Sequence, residues 1–176
     1  MIRSRSRPAV HIRTPSECTP EELQAFQELV SRGQQVAAAG LITRLVKAHW
    51  LGFYYEDSKL MAVAGLKQPE RRYRDRVFQR ADAEVEANRF DTELGWVYTC
   101  EQLRGRGIAR RLLLRLLRKV GQKHVYATTS AENVRMRSLL DSLGFHRIGK
   151  TFEGASAHRQ LELWIRQPRR AHNHLL

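Results

Sequence analysis

Cysteine is scarce in this chain of 176 residues. Cys18 and Cys100 cannot build a disulfide framework, and no C-x-x-C pair or Cys/His cluster has zinc spacing. His172 and His174 could meet on a metal, but so near a chain end they read as solvated, and no metal is expected. Long apolar runs are also missing. None approaches the roughly 20 residues that cross a bilayer, so no membrane partner is expected. The Arg- and Ser-rich start, Met1 to Pro8, is followed by no apolar segment of the secretory kind. It reads as a solvated basic tail, with a basic organelle-targeting segment as the other reading, and the chain is expected in the cytoplasm. Repeats and low-complexity tracts are absent. Carboxylates are few: 18 Asp and Glu stand against 31 Lys and Arg, giving +13 and a pI near 10.6. Such a balance favours an anionic partner, whether a phosphorylated cofactor, a nucleic acid or an acidic protein surface.

What is present fits one ordinary domain. Hydrophobic residues make up 42% of the chain, enough for a core of sheet and helices. Residues 9–167 are expected to form that domain, between a tail at 1–8 and another at 168–176. Ala9 to Arg13 reads as a short strand. Thr19-Pro20-Glu21-Glu22 opens a helix with a capping hydroxyl, an early proline and carboxylates at the positive end of the dipole. Leu23, Phe26, Leu29 and Val30 carry its period, and Gly33 should end it. A second helix is expected over 37–48. Trp50 to Glu56 and Lys59 to Lys67 read as a hairpin around Asp57-Ser58. Residues 68–92 are polar and irregular, with a helix expected around Arg76 to Asn88. Glu93 to Cys100 is strand-like, and a Gly-rich turn leads to a helix from Gly107 to Val120. His124 to Thr129 reads as a buried strand and Ala131 to Leu143 as a helix closed by Gly144. Phe145 to Phe152 and Gln160 to Arg166 read as the last strands. The sum is a mixed α/β (α+β) architecture, with a central sheet of about six or seven strands flanked by about four helices.

The segment most suggestive of chemistry is Glu101-Gln102-Leu103-Arg104-Gly105-Arg106-Gly107-Ile108-Ala109. Gly105 and Gly107 let backbone N–H groups approach a phosphate, and the following helix points its unpaired amides and positive dipole end the same way. It lacks the Gly-Lys-Ser/Thr of a P-loop and the third glycine of a dinucleotide fingerprint. On these residues alone, a phosphate cradle and an ordinary strand-to-helix turn with solvated arginines are both open.

In this place, between a strand and a Leu-rich helix, Arg104-Gly105-Arg106-Gly107-Ile108-Ala109 resembles the Q/R-x-x-G-x-G/A signature of the GNAT acetyltransferase superfamily. A second element is similar as well. Ala131-Glu132-Asn133 opens a helix ending Leu139-Leu140-Asp141-Ser142-Leu143-Gly144-Phe145, where the family typically reads Asn and then L-Y-E-K-L-G-F. The resemblance covers roughly 50–165. It implies acetyl-coenzyme A as cosubstrate and an amine acceptor of unspecified class, in a monomer or homodimer. It also implies that the Val97-Tyr98-Thr99 backbone holds the pantetheine arm and acetyl carbonyl. The amides of Arg104, Gly105, Arg106, Gly107, Ile108, Ala109 and Arg110 would cradle the pyrophosphate, and Asn133 would bond the pantetheine region. Arg104, Arg106, Arg110 and Arg111 could screen the phosphates, or form a solvated helix face.

Acyl transfer to an amine needs a base for the amine proton and donors for the developing oxyanion. Glu93 is the candidate catalytic base, since some family members carry a catalytic Glu at the start of this strand. Two-residue alternation puts it on the face of Gly95, Val97 and Thr99. Its other reading is a strand-end carboxylate paired with an arginine. Asp91, Glu84 and Glu86 are reserves. Two family positions depart from the pattern: Leu140 stands where many members carry an acidic Tyr, and Met136 where others carry Ser. Tyr98, Tyr126 or Ser138 could substitute, or water could protonate the leaving thiolate. Cys100 has no His or Asp placed to activate it and reads as a small buried residue. Two competing functions stay open beside the enzyme. One is a catalytically weak, coenzyme A-binding regulatory module. The other is a nucleic-acid-associated protein using the basic tails and the helix from Gly107 to Val120, with its Arg110, Arg111, Arg115, Arg118 and Lys119.

Overall fold

The computed structural model describes residues 8–33, 39–154 and 159–168. Residues 1–7 of the expected tail at 1–8, the first two residues of the expected second helix, and residues 169–176 of the expected tail at 168–176, with His172 and His174, lie outside them. Among the described residues there are seven strands and five α-helices, an α/β architecture, gathered in two compact units. The first unit joins Met1–Pro69 to Thr92–Lys119, and the second joins Glu70–Asp91 to Val120–Leu176.

In the first unit, β1 (Ala9–Arg13), β2 (Trp50–Glu56), β3 (Lys59–Lys67) and β4 (Thr92–Thr99) run antiparallel in that order. Helix α1 (Pro20–Arg32) starts at a reciprocal cap. The Glu22 amide donates to Thr19 Oγ1 at 3.2 Å and the Thr19 amide to Glu22 Oε2 at 3.0 Å. Its apolar stripe buries Phe26, whose ring meets Phe53 edge-on at 5.4 Å and Trp96 at 6.2 Å. The expected second helix is shorter than its pattern. Helix α2 is only Leu41–Leu45, because the chain turns at Val46–Ala48 and the His49 amide donates to Leu66 O at 2.9 Å, drawing residue 50 into β2. The hairpin falls where expected, with Asp57 and Ser58 both left-handed (φ 48° and 63°), the twist that a two-residue turn needs. Helix α4 (Ile108–Val120) covers the opposite face from α1. Gly52 lets it approach: a Cβ there would stand 2.9 Å from Leu112 Cδ1, while Phe53, next in the strand, faces α1.

The alternation breaks in β4. Its partners on β3 are Gly95 for Gly65, then Tyr98 for Val63 and Thr99 for Ala62. Two steps on β3 match three on β4, so β4 carries an extra residue, and Trp96 sits there at φ 54°. Its indole is buried against Gly65, where an added Cβ would come within 2.5 Å of Trp96 Cε3.

In the second unit, β5 (Val125–Ser130), β7 (Gln160–Arg166) and β6 (His146–Glu153) are antiparallel in that order. One face packs Phe78, Phe90, Tyr126, Leu163 and Ile165 into a core. Phe78 comes from α3 (Arg71–Arg80), which lies earlier than the helix expected over 76–88. The apolar spacing Val77, Phe78, Ala81 sits at its end, where Asp82 turns left-handed and the Lys150 amide caps Ala81 O at 2.7 Å. Only a 3-10 turn, Ala87–Arg89, lies in the rest of the expected span. Helix α5 (Val134–Ser142) begins three residues after the expected Ala131, because Asn133 caps it. On the other side of β7, Glu162 is buried and gathers Arg137 Nε at 3.1 Å, Arg147 Nη1 at 3.5 Å and the Trp164 indole N–H at 3.1 Å.

Two outcomes follow for stability. Gly65→Ala forces a methyl against a fully packed indole, and about 1–3 kcal/mol should be lost in denaturant unfolding with no change in m. His124 supplies a pH dependence. Its Nε2 lies 3.2 Å from an Arg89 nitrogen that can only donate, so the ring proton sits on Nδ1, which is buried with no hydrogen-bond partner among the described residues. Burial first, then the Arg89 charge, holds the His124 pKa below its ordinary value. The unfolded chain therefore binds the extra proton more readily. The contribution is complete above the unfolded pKa of about 6.5 and is lost as pH falls through the lowered value. Denaturant titrations from pH 8 to pH 5 should show a shallower acid-side loss in His124→Asn than in the parent.

Candidate active site

All but one of the candidate site residues lie in one continuous strand, turn and helix of the first unit. Beyond the extra residue, β4 continues as half-exposed Val97, Tyr98 and Thr99. The strand stops at Cys100, whose amide donates to Met61 O at 2.9 Å and whose side chain is buried, as a small apolar residue would be. A 3-10 turn (Glu101–Leu103) then pins the chain through buried Leu103. The next four residues reverse it. Gly105 and Gly107 stand at φ 78° and 73°, and a Cβ added to either would meet no atom within 4 Å. The outer side of the turn is therefore open, and its backbone conformation is one that side chains disfavour.

Helix α4 begins at Ile108, with the Arg111 amide donating to Gly107 O at 3.0 Å, so the amides before it have no partner within the helix. Its first turn holds no carboxylate, although that end of a helix favours one. Arg106 and Arg110 are exposed beside it, and buried Ile108 anchors the start. Arg104 is committed to the turn itself. Its Nε donates to Thr99 O at 3.1 Å, its guanidinium lies 5.8 Å from the Tyr98 ring centre, and Glu101 pairs with it at 3.4 Å. Open backbone, a bare helix start and two free-standing arginines are what a diphosphate group requires, so the residues fit the phosphate-bearing cofactor that the motif implies.

Asn133 belongs to the second unit. Its Oδ1 accepts the Met136 amide at 3.1 Å as the cap of α5, which leaves the side-chain NH2 as its donor. Leu140 is completely buried, Met136 half-buried and Ser138 exposed. Tyr126 is enclosed in the aromatic core, 5.3 Å from Phe78.

Glu93 requires a correction. The extra residue in β4 changes which side chains share its face: Glu93 and Gly95 stand with Tyr98, opposite Lys67, Gly65 and Val63, and Val97 and Thr99 do not follow them. Glu93 is 2% exposed, and its carboxylate takes an ion pair at 2.8 Å from Lys67, its direct cross-strand neighbour, in place of an arginine. The Lys67 ammonium also lies 5.4 Å from the Trp96 ring centre. Of the reserves, Asp91 pairs with Arg74 at 3.2 Å, while Glu84 and Glu86 are exposed. Sequence reasoning missed Lys67 and the placement of Trp96. A signal existed for the second, since glycine inside a strand, here Gly65 and Gly95, marks a bulge or a close approach.

No curated protein matches this sequence. The fold has many solved counterparts. ElaA of Escherichia coli is 15% identical, with a TM-score of 0.68 over 92% of this chain and 100% of that one. An acyl-CoA N-acyltransferase from Pseudomonas aeruginosa is also 15% identical, with a TM-score of 0.66 over 91% and 99%. The yncA protein of Salmonella typhimurium, solved with its cofactor acetyl-CoA, is 17% identical, with a TM-score of 0.60 over 92% and 94%. The family model described as Acetyltransferase (GNAT) family matches residues 16–145, an interval that holds the Gly-rich turn, Glu93 and Asn133, and the chain therefore belongs to the GNAT acetyltransferase family.

Proposed function

We propose that the chain is an N-acyltransferase that moves an acetyl group from acetyl-coenzyme A directly to an amine. The carrying observation is the Arg104–Arg110 junction, with its open left-handed glycines and a helix start bare of carboxylates. The cosubstrate supplies an activated thioester and a thiol leaving group. The amides from Arg104 to Arg110 bind its pyrophosphate, and Arg106 and Arg110 offset the charge. The Val97-Tyr98-Thr99 backbone orients the acyl group. Where β4 carries its extra residue, backbone N–H groups leave the β3 ladder, and these donors stabilise the oxyanion.

Glu93 removes the amine proton. It lies roughly 10 Å along the strand before the extra residue, so the transfer passes through water. Tyr98, on the Glu93 face beyond the bulge, is the hydroxyl best placed to return a proton to the thiolate, since the usual position is the buried Leu140. That same Leu140 favours a second reading, a coenzyme A-binding regulator without turnover.

Two measurements test this. Acetyl-coenzyme A at a hundred times its Kd should stabilise the protein by about 2.7 kcal/mol, an effect absent in Gly107→Glu. Thiol release with an amine panel should appear and fall about 100-fold or more in Glu93→Gln, while stabilisation by acetyl-coenzyme A persists. No thiol release with any amine would leave the regulator. Lys67→Met strips an ion pair from a buried carboxylate and should cost about 2–4 kcal/mol, with most of that recovered when Glu93→Gln is added.

A further inference from the structure

Several cations of the first unit and of the second pair with a carboxylate of their own unit: Arg13 with Glu22, Arg74 with Asp75 and Asp91, Lys150 with Asp82. Helix α4 departs from this. Its thirteen residues, IARRLLLRLLRKV, include five cations and no carboxylate. At 3.6 residues per turn, Arg111, Arg115, Arg118 and Lys119 fall within roughly 100° of arc and about 12 Å of axis. All four are exposed, while leucines 112, 113 and 116 of the same helix are buried. Among the described residues, no ion pair reaches Arg111, Arg115 or Arg118, and Lys119 rests 4.6 Å from the Trp50 ring centre. Like charges at three- and four-residue spacing repel and weaken a helix. A stripe of this kind gains most from an external polyanion.

We propose that this stripe docks the phosphate backbone of a double-stranded nucleic acid. Three of its four cations are arginines, whose planar forks match phosphate oxygens better than an ammonium does. The stripe carries no apolar anchor of the kind that inserts into a membrane interface or fills a protein hot spot. The recognition is therefore of charge and not of sequence. It lies outside the Arg104–Arg110 turn and does not depend on the acyltransferase reading.

The probe is a fluorescein-labelled 20-base-pair DNA duplex, titrated with full-length protein by anisotropy between 50 and 200 mM NaCl. The parent should bind with a steep salt slope. Arg115→Gln/Arg118→Gln should lower that slope by about 1.8, at 0.9 per phosphate contact, and weaken binding at least tenfold at 100 mM. Arg71→Gln/Arg72→Gln on α3 removes the same charge from another surface and should leave both values close to the parent's. Saturating coenzyme A should not displace the duplex. Four results overturn the proposal: no duplex binding at 50 mM NaCl, equal losses in both double variants, displacement by coenzyme A, or tighter binding to phosphatidylserine vesicles than to the duplex. Matched thermal melts of the variants show whether a loss reflects unfolding.

Discussion

One extra residue in β4 sets the geometry of everything proposed for the first unit. Holding Trp96 at φ 54° costs on the order of 1–3 kcal/mol for a side chain of that size. The burial of its indole between Phe26 and Gly65 offsets this, since a buried aromatic ring contributes comparable energy. The strand keeps its β3 pairing on both sides and yet shifts its face midway. As a result Glu93 and Tyr98, five positions apart, share one side, and the backbone between them is loosened from the ladder. Strain and packing are here two halves of one arrangement.

The same logic of local commitment explains which arginines are available. Arg104 is tied to Thr99 and Glu101 and serves the shape of the turn, while Arg106 and Arg110 stand exposed beside the helix start with no such bonds among the described residues. A count of cations would rank them equally. Hydrogen-bond geometry separates a structural arginine from the two that can meet a diphosphate. A similar division exists in the second unit, where Glu162 is the buried centre that holds Arg137 and Arg147 to the core of β7.

Much of this was legible in the residues. The hairpin ends at 56 and 59 follow from the two strand-like runs around Asp57-Ser58, and the α1 cap from Thr19 and Glu22. The Gly-rich turn announced itself by spacing and by its flanking strand and helix. Failures came where a distant partner decides the outcome. Alternation along β4 cannot show that Trp96 is absorbed by Gly65, thirty-one positions earlier, so the face of Val97 and Thr99 was misassigned. Lys67 as the partner of Glu93 is a matter of register between strands. The limits of α3 depend on Lys150 reaching Ala81, and the shortness of α2 on His49 reaching Leu66. Each of these four is a long-range hydrogen bond or packing contact overriding a local preference.

The cap of α5 shows how one side chain can answer two demands. Aspartate or serine would start this helix as well as asparagine does, because only an acceptor oxygen is needed. Aspartate carries no donor at all, and serine's single O–H sits on the capping oxygen itself, whereas the amide NH2 is a separate group. An amide at position 133 thus leaves an N–H pair that no bond among the described residues uses, at the exposed mouth of the helix. Exchanging that nitrogen for oxygen would divide what the residue does for the helix from what it can offer a bound molecule.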